Sequence, residues 1–96
     1  MKVVAPLLLA VMWTFPSQEV GDSAKAELAY RNNCMICHGP ALEGGFGPAL
    51  SHVGSRKTKA QIVRQIQNGG VLMPAFRTQL DAGTIQVLAE WLFAKK

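Results

Sequence analysis

Apolar positions in this chain form one dense run near the start and three spaced sets after it, and the spacing of those sets predicts helices. In the first set, Ala26, Ala29 and Tyr30 recur at helical intervals behind Asp22 and Ser23, either of which suits an N-cap. That pattern predicts a helix from there to Asn33, which hands the chain to Cys34. The second set is Ile62, Val63 and Ile66, placed between a cap at Ser55 or Thr58 and the stop signal Asn68-Gly69-Gly70. The third begins at Asp81, carries Ile85, Leu88, Ala89 and Leu92 on one stripe with Trp91 beside it, and ends at Lys95-Lys96, which suits the negative end of a helix dipole. Between the first two sets, Gly39 to Gly54 holds Pro40, Gly44, Gly45, Gly47 and Pro48, and predicts a loop wrapped around something. No alternation of strand type and no repeat is present. The reading is all-α, with room for one domain.

The dense run changes the picture at the N-terminus. Lys2 followed by Val3 to Phe15 has the charge and length of a signal peptide, and is too short to cross a bilayer comfortably as a helix. Residues 1–21 are therefore assigned to a signal peptide or an N-terminal membrane tether, and 22–96 to the folded domain. The one clean small-x-small site, Ala24-Lys25-Ala26, would cut inside the first predicted helix, so processing is expected between Pro16 and Gly21. Removing residues 1–21 from the 96 leaves 75, a size at which a side-chain core is marginal and a cofactor or staple commonly supplements it.

The candidate chemistry lies in Cys34-Met35-Ile36-Cys37-His38, which contains both cysteines of the chain. Two thiols three residues apart, with an imidazole directly after the second, form the attachment signature of c-type haem. The thiols suit the two vinyl groups of the porphyrin and His38 the proximal position at iron. A zinc half-site would need two more ligands, with only His38 and His52 available outside carboxylates. A redox dithiol expects a βαβ surrounding that the flanking residues do not suggest. With haem as its largest apolar component, the chain is expected to be largely unfolded without it.

Taken together, these residues resemble a class I cytochrome c, the small monohaem carriers, and most closely the short bacterial ones. The resemblance spans Asp22 to the end. It rests on Tyr30, on Cys34-Met35-Ile36-Cys37-His38-Gly39, on Gly47-Pro48-Ala49-Leu50, on Asn68-Gly69 followed by Met73-Pro74-Ala75-Phe76, and on Trp91. It implies the cytochrome c fold, with three main helices and loops around one haem attached covalently through Cys34 and Cys37. It also implies that attachment takes place outside the cytoplasm, that the Pro48 carbonyl accepts a hydrogen bond from His38, that Leu50 packs on the porphyrin, and that Arg56 is a candidate partner of a propionate. Arg56 reads equally as one of the solvated charges in Arg56-Lys57-Thr58-Lys59. The first and last helices are expected to cross, Ala26 and Tyr30 meeting Leu88 and Trp91, with a partner for the indole donor. Relatives usually carry glycine where Ala26 stands, which predicts a slightly wider crossing.

The second axial ligand follows partly by elimination. Met1 and Met12 belong to the leader, Met35 lies between the attachment cysteines, and Met73 is left, where the family places its distal ligand. A thioether opposite an imidazole raises the reduction potential and fills the sixth position, favouring electron transfer over peroxide chemistry. Met73 as plain core filler and His52 as a competing ligand are the other readings.

The formal net charge is +4, with basic residues gathered at Arg56-Lys57-Thr58-Lys59 and Lys95-Lys96. Such a surface would steer a carrier toward acidic docking sites on redox partners. Nucleic acid is not expected, because no aromatics interleave the charges. The reading is a one-electron carrier and not an enzyme, a monomer, soluble or tethered, exported to the periplasm or the outer face of the cytoplasmic membrane, serving respiratory complexes. The alternatives are a haem-based peroxidase or gas sensor in which Met73 is displaceable, and an electron-entry subunit of a dehydrogenase complex.

Overall fold

A computed structural model describes residues 17–96, with side chains from residue 21 onward. The apolar run over residues 3–15 lies outside the described residues. Five helices follow in order: α1 (Ser17–Asn33), α2 (Met35–His38), α3 (Val53–Arg56), α4 (Lys59–Asn68) and α5 (Ala82–Phe93), with no strand among the described residues.

Two helix starts are set by local hydrogen bonds that the sequence announces. Thr58 Oγ1 accepts from the Gln61 backbone N–H at 3.1 Å, and Gln61 Oε1 accepts from the Thr58 N–H at 2.8 Å, a reciprocal box that opens α4. Asp81 Oδ1 accepts from the Thr84 N–H at 2.7 Å and opens α5. Ser55, the other candidate cap for α4, lies inside α3.

Three expectations need correction. Helix α1 is already formed at Ser17, the first described residue, upstream of Asp22 and Ser23, and runs through the boundary drawn after residue 21. Gly21 is the one breaker there, and a single glycine weakens a helix without ending it. The three main helices are joined by two single turns, α2 and α3, so the loop expected over Gly39 to Gly54 closes at Val53. Trp91 is partly buried, and its indole nitrogen makes no hydrogen bond among the described residues. It stays wet, since no buried side-chain nitrogen or oxygen among the described residues lacks a partner.

Helix α5 is the centre of the packing, with α1, α4 and α3 against it. Ala26 on α1 and Leu88 on α5 are both 0 % exposed and share one core with Tyr30, Val53, Ile62, Ile66, Phe76, Ile85, Ala89 and Leu92. Tyr30 and Trp91 meet across the helices with ring centroids 5.5 Å apart and planes tilted by 51°. The chain's end is tied down as well. The Gly54 N–H donates to the Lys95 carbonyl at 2.7 Å, and the Ser55 hydroxyl donates to the Lys96 carbonyl at 2.8 Å.

The segment after α4 folds back on that helix. Gly69 ends α4 with φ 69°, and a Cβ there would stand 2.4 Å from the Met73 carbonyl oxygen, so glycine alone permits this return. Beyond it, the Phe76 N–H donates to the Ile66 carbonyl at 2.9 Å and the Arg77 guanidinium donates to Asn68 Oδ1 at 2.7 Å. Met73 is thereby carried in a closed loop.

Candidate functional site

The site grows from the corner between α1 and α2. The Cys34 N–H donates to the Tyr30 carbonyl at 2.8 Å, and the His38 N–H to the Cys34 carbonyl at 2.9 Å, so one turn of helix spaces Cys34, Cys37 and His38. Residues three apart on a turn share a face, which sets the two thiols side by side. The Tyr30 hydroxyl donates to the Gly39 carbonyl and anchors the start of the long loop to α1. Burial first, then the neighbouring Cys34 and Glu43, raise that hydroxyl above its usual acidity range.

The imidazole of His38 is buried and held in one tautomer. Its Nδ1 lies 2.7 Å from the Pro48 carbonyl oxygen. A carbonyl can only accept, so Nδ1 carries the proton and Nε2 keeps a free lone pair. Gly47 makes this approach possible, because a Cβ there would sit 2.9 Å from His38 Cε1. The Gly47 N–H in turn donates to the Cys37 carbonyl at 2.7 Å.

Burial, followed by the neighbouring Cys37, pushes the Cys34 thiol up to about 11. A thiol raised in this way contrasts with the acidic thiol of a redox dithiol. Among the described residues no group of three or more His, Cys, Asp or Glu side chains is gathered to hold a metal ion, so a zinc half-site finds no second half.

A cavity of about 550 Å³ opens beside this corner. Cys34, Cys37 and His38 line it, as do Pro48 and Leu50 from the long loop, Arg56 from α3, and Met73. The core residues Ile62, Ile66, Phe76 and Leu92 form its floor. His52 is exposed and does not line it. Arg56 reaches the Ala49 carbonyl at 3.3 Å from its exposed position on the rim.

Two features of the site were not read from the sequence. Gln65 lines the cavity, and its amide nitrogen lies 3.1 Å from the Gly69 carbonyl oxygen and 3.8 Å from Met73 Sδ. The contact depends on the loop after α4 folding back, which no local pattern announces. Ile36, Phe46, Val71 and Leu72 are each 70 % exposed or more, and all four line the cavity. Large apolar side chains gathered on one opening mark a surface for an apolar ligand or a partner. Two adjacent thiols, a tautomer-fixed imidazole, a thioether and an apolar cavity of small-molecule size fit a covalently attached haem.

Residues 21–92 match the protein family described as cytochrome C oxidase, cbb3-type, subunit III. Cytochrome c-550 of Bacillus subtilis (strain 168) is 39 % identical over 70 residues, covering 73 % of this chain and 57 % of that protein. Cytochrome c-551 of the same organism is 35 % identical over 80 residues, covering 83 % of this chain and 70 % of the relative. The chain therefore spans little more than half of the first relative and about two thirds of the second. Among solved structures, the c-type cytochrome XoxG from Methylobacterium extorquens AM1 superposes with a TM-score of 0.68 at 24 % identity, over 77 % of this chain and 50 % of that one, a likeness of fold.

Proposed function

Because this chain belongs to the cytochrome c family, with its all-α fold and covalent haem c, we propose that it is a one-electron carrier in which Cys34 and Cys37 tie the haem and His38 and Met73 ligate it. When bound, the haem supplies an iron that alternates between the ferrous and ferric states. The observation that carries the reading is the 2.7 Å contact between His38 Nδ1 and the Pro48 carbonyl, in a cavity that also receives both thiols and Met73.

Each residue has a task that follows from its chemistry. Pro48 fixes the imidazole plane and leaves Nε2 as a σ donor, made more basic by the shared proton on Nδ1. Met73, held in the loop latched to α4, offers a soft neutral sulfur that favours the lower oxidation state. Leu50, Ile62, Ile66 and Phe76 exclude water from the site and so disfavour the more charged ferric form. Arg56, exposed on the rim, would pair with a carboxylate of the cofactor.

The cavity lining among the described residues contains no carboxylate, and Met73 is flanked by Leu72 and Pro74. A peroxidase needs an acid or base beside the open coordination position, so this lining favours electron transfer over peroxide chemistry.

For partners, the reading is a redox protein with an acidic docking face, within a respiratory chain. Lys59 pairs with Glu90 at 3.3 Å and Lys95 lies over the Trp91 ring at 4.3 Å, while Arg56 and Lys57 are exposed at the cavity mouth. These two would steer encounter next to the haem. Residues 1–21 serve export, leaving the domain in the periplasm or on the outer face of the cytoplasmic membrane. No helix among the described residues is long and apolar enough to cross a membrane.

A second reading, a subunit of a larger redox complex, draws support from the description of the matching family. Purification of the exported chain separates the two: a carrier elutes alone and exchanges electrons with added acceptor, and a fixed subunit co-purifies with its complex.

A further inference from the structure

Helix α3 is a single turn, too short to hold itself, and His52 at its N-cap gives it no side-chain hydrogen bond. Buried Val53 fixes one side of the turn in the core, and the residues after α5 fix the other. The Gly54 N–H donates to the Lys95 carbonyl at 2.7 Å, the Ser55 hydroxyl to the Lys96 carbonyl at 2.8 Å, and Lys96 Nζ to the Gly54 carbonyl at 3.2 Å. Lys96 Nζ also stands 3.8 Å from the centre of the Phe93 ring. The two backbones are in direct contact, since a Cβ at Gly54 would lie 1.9 Å from the Phe93 carbonyl oxygen. Residues two apart on a helical turn face nearly opposite ways, about 200° around the axis, so seating Gly54 on the end of α5 turns Arg56 away from it, toward the cavity. There its guanidinium donates to the Ala49 carbonyl at 3.3 Å, next to the Pro48 carbonyl that holds His38. A guanidinium has several N–H donors, and the salt bridge among the described residues joins Lys59 to Glu90, so Arg56 keeps both donors and charge for a carboxylate.

We propose that Ser55 and Lys96 form a clamp that positions Arg56 at the cavity mouth and so sets the reduction potential from outside the cavity. This rests on the reading of Arg56 as the partner of a cofactor carboxylate. A positive charge held at the mouth opposes the additional positive charge of the ferric state, and one released into solvent is screened and opposes it less. The clamp therefore raises the potential, although neither Ser55 nor Lys96 lines the cavity. Val53 stays in the core whether or not the clamp is closed, so opening it frees the exposed side of the turn without unfolding the domain.

The test is a double-mutant cycle on purified holoproteins: the natural sequence, the pair Ser55→Ala with Lys96→Ala, Arg56→Leu, and all three together. Losing the Lys96 charge acts on the iron in both backgrounds, so the cycle removes that direct effect and leaves what passes through Arg56. With Arg56 present, the pair is expected to lower the equilibrium constant for reduction about two- to fivefold, or about 20–40 mV at 59 mV per decade for one electron. With leucine at position 56 the fall is expected to be less than half as large in millivolts. A fall of half or more in the leucine background, or none with Arg56 present, overturns the proposal. Hydrogen exchange at the Gly54 amide reads the clamp without reference to the iron, and is expected to quicken about tenfold in the pair. Natural exchange there also overturns it. Ser55→Ala alone keeps every charge and removes one surface hydroxyl. It is expected to move potential and exchange in the same directions by smaller amounts, and no movement in either overturns the clamp even where the pair fails to mature. An Arg56→Leu holoprotein with the natural potential overturns the pairing of Arg56 with the cofactor, and this inference with it.

Discussion

His38 donates its Nδ1 proton to the carbonyl oxygen of Pro48 across 2.7 Å. The contact joins the end of the one-turn helix α2 to the middle of a loop without regular structure, and so fixes the imidazole at the cavity wall. Gly47 controls it, because any Cβ there presses on the ring. Gly47→Ala is expected to destabilise the holoprotein by roughly 1–3 kcal/mol, the range for overpacking a close contact, and to shift the reduction potential. Denaturant titration followed at the haem absorption band, together with a redox titration, checks both. A variant with natural stability and potential would show that the ring is not held from this side.

The crossing of α1 and α5 leaves no space at Ala26. Ala26→Leu is expected to lower the yield of holoprotein several-fold, because the helix that presents Cys34 is pushed away from Leu88. Absorbance of haem per milligram of exported protein measures this, and a normal yield contradicts the packing.

Asp81 caps α5 through the Thr84 N–H, and its hydrogen bonds to Thr84, with a smaller pull from Lys25, hold its carboxyl below the usual value of 3.8. A carboxyl whose folded value is depressed contributes stability above its unfolded value, and that contribution fades as pH falls through the lower folded value. Asp81→Ala is expected to lower the melting temperature at pH 7 and to narrow the gap from the natural protein as pH drops below about 4. Thermal melts across pH 3 to 7 test the sign. An undiminished gap at pH 3 would assign the loss to something other than the ionised cap.

Much of this fold and site was legible in the sequence, and the exceptions have physical causes. Thr58 with Gln61, Asp81, and Asn68-Gly69 act through bonds to neighbours within a few residues, so the bounds of α4 and the start of α5 follow from local pattern. The motif from Cys34 to His38 is equally local. Asp22 and Ser23 suit an N-cap, yet they lie inside α1, because a capping residue type does not end a helix that already runs through Gly21. Helices α2 and α3 are single turns, too short for any periodicity to register. Gln65 beside Met73, and the wet edge of Trp91, depend on how separate segments meet, and residue spacing carries no signal for that.

Five core side chains, Val53, Ile62, Ile66, Phe76 and Leu92, line the cavity, so the apolar interior and the cofactor site are one structure. Replacing Cys34 and Cys37 together by alanine is expected to give a colourless chain that has lost most of its helical circular dichroism. A cooperative thermal transition in that protein would show that the polypeptide folds on its own side chains.

The ferric absorption spectrum in the red tests the axial pair most directly. The natural protein and His52→Ala are expected to show the weak charge-transfer band of sulfur ligation, and Met73→Ala to lack it. A coloured natural protein without the band, or a band that survives in Met73→Ala, would contradict the assignment of Met73 to the iron.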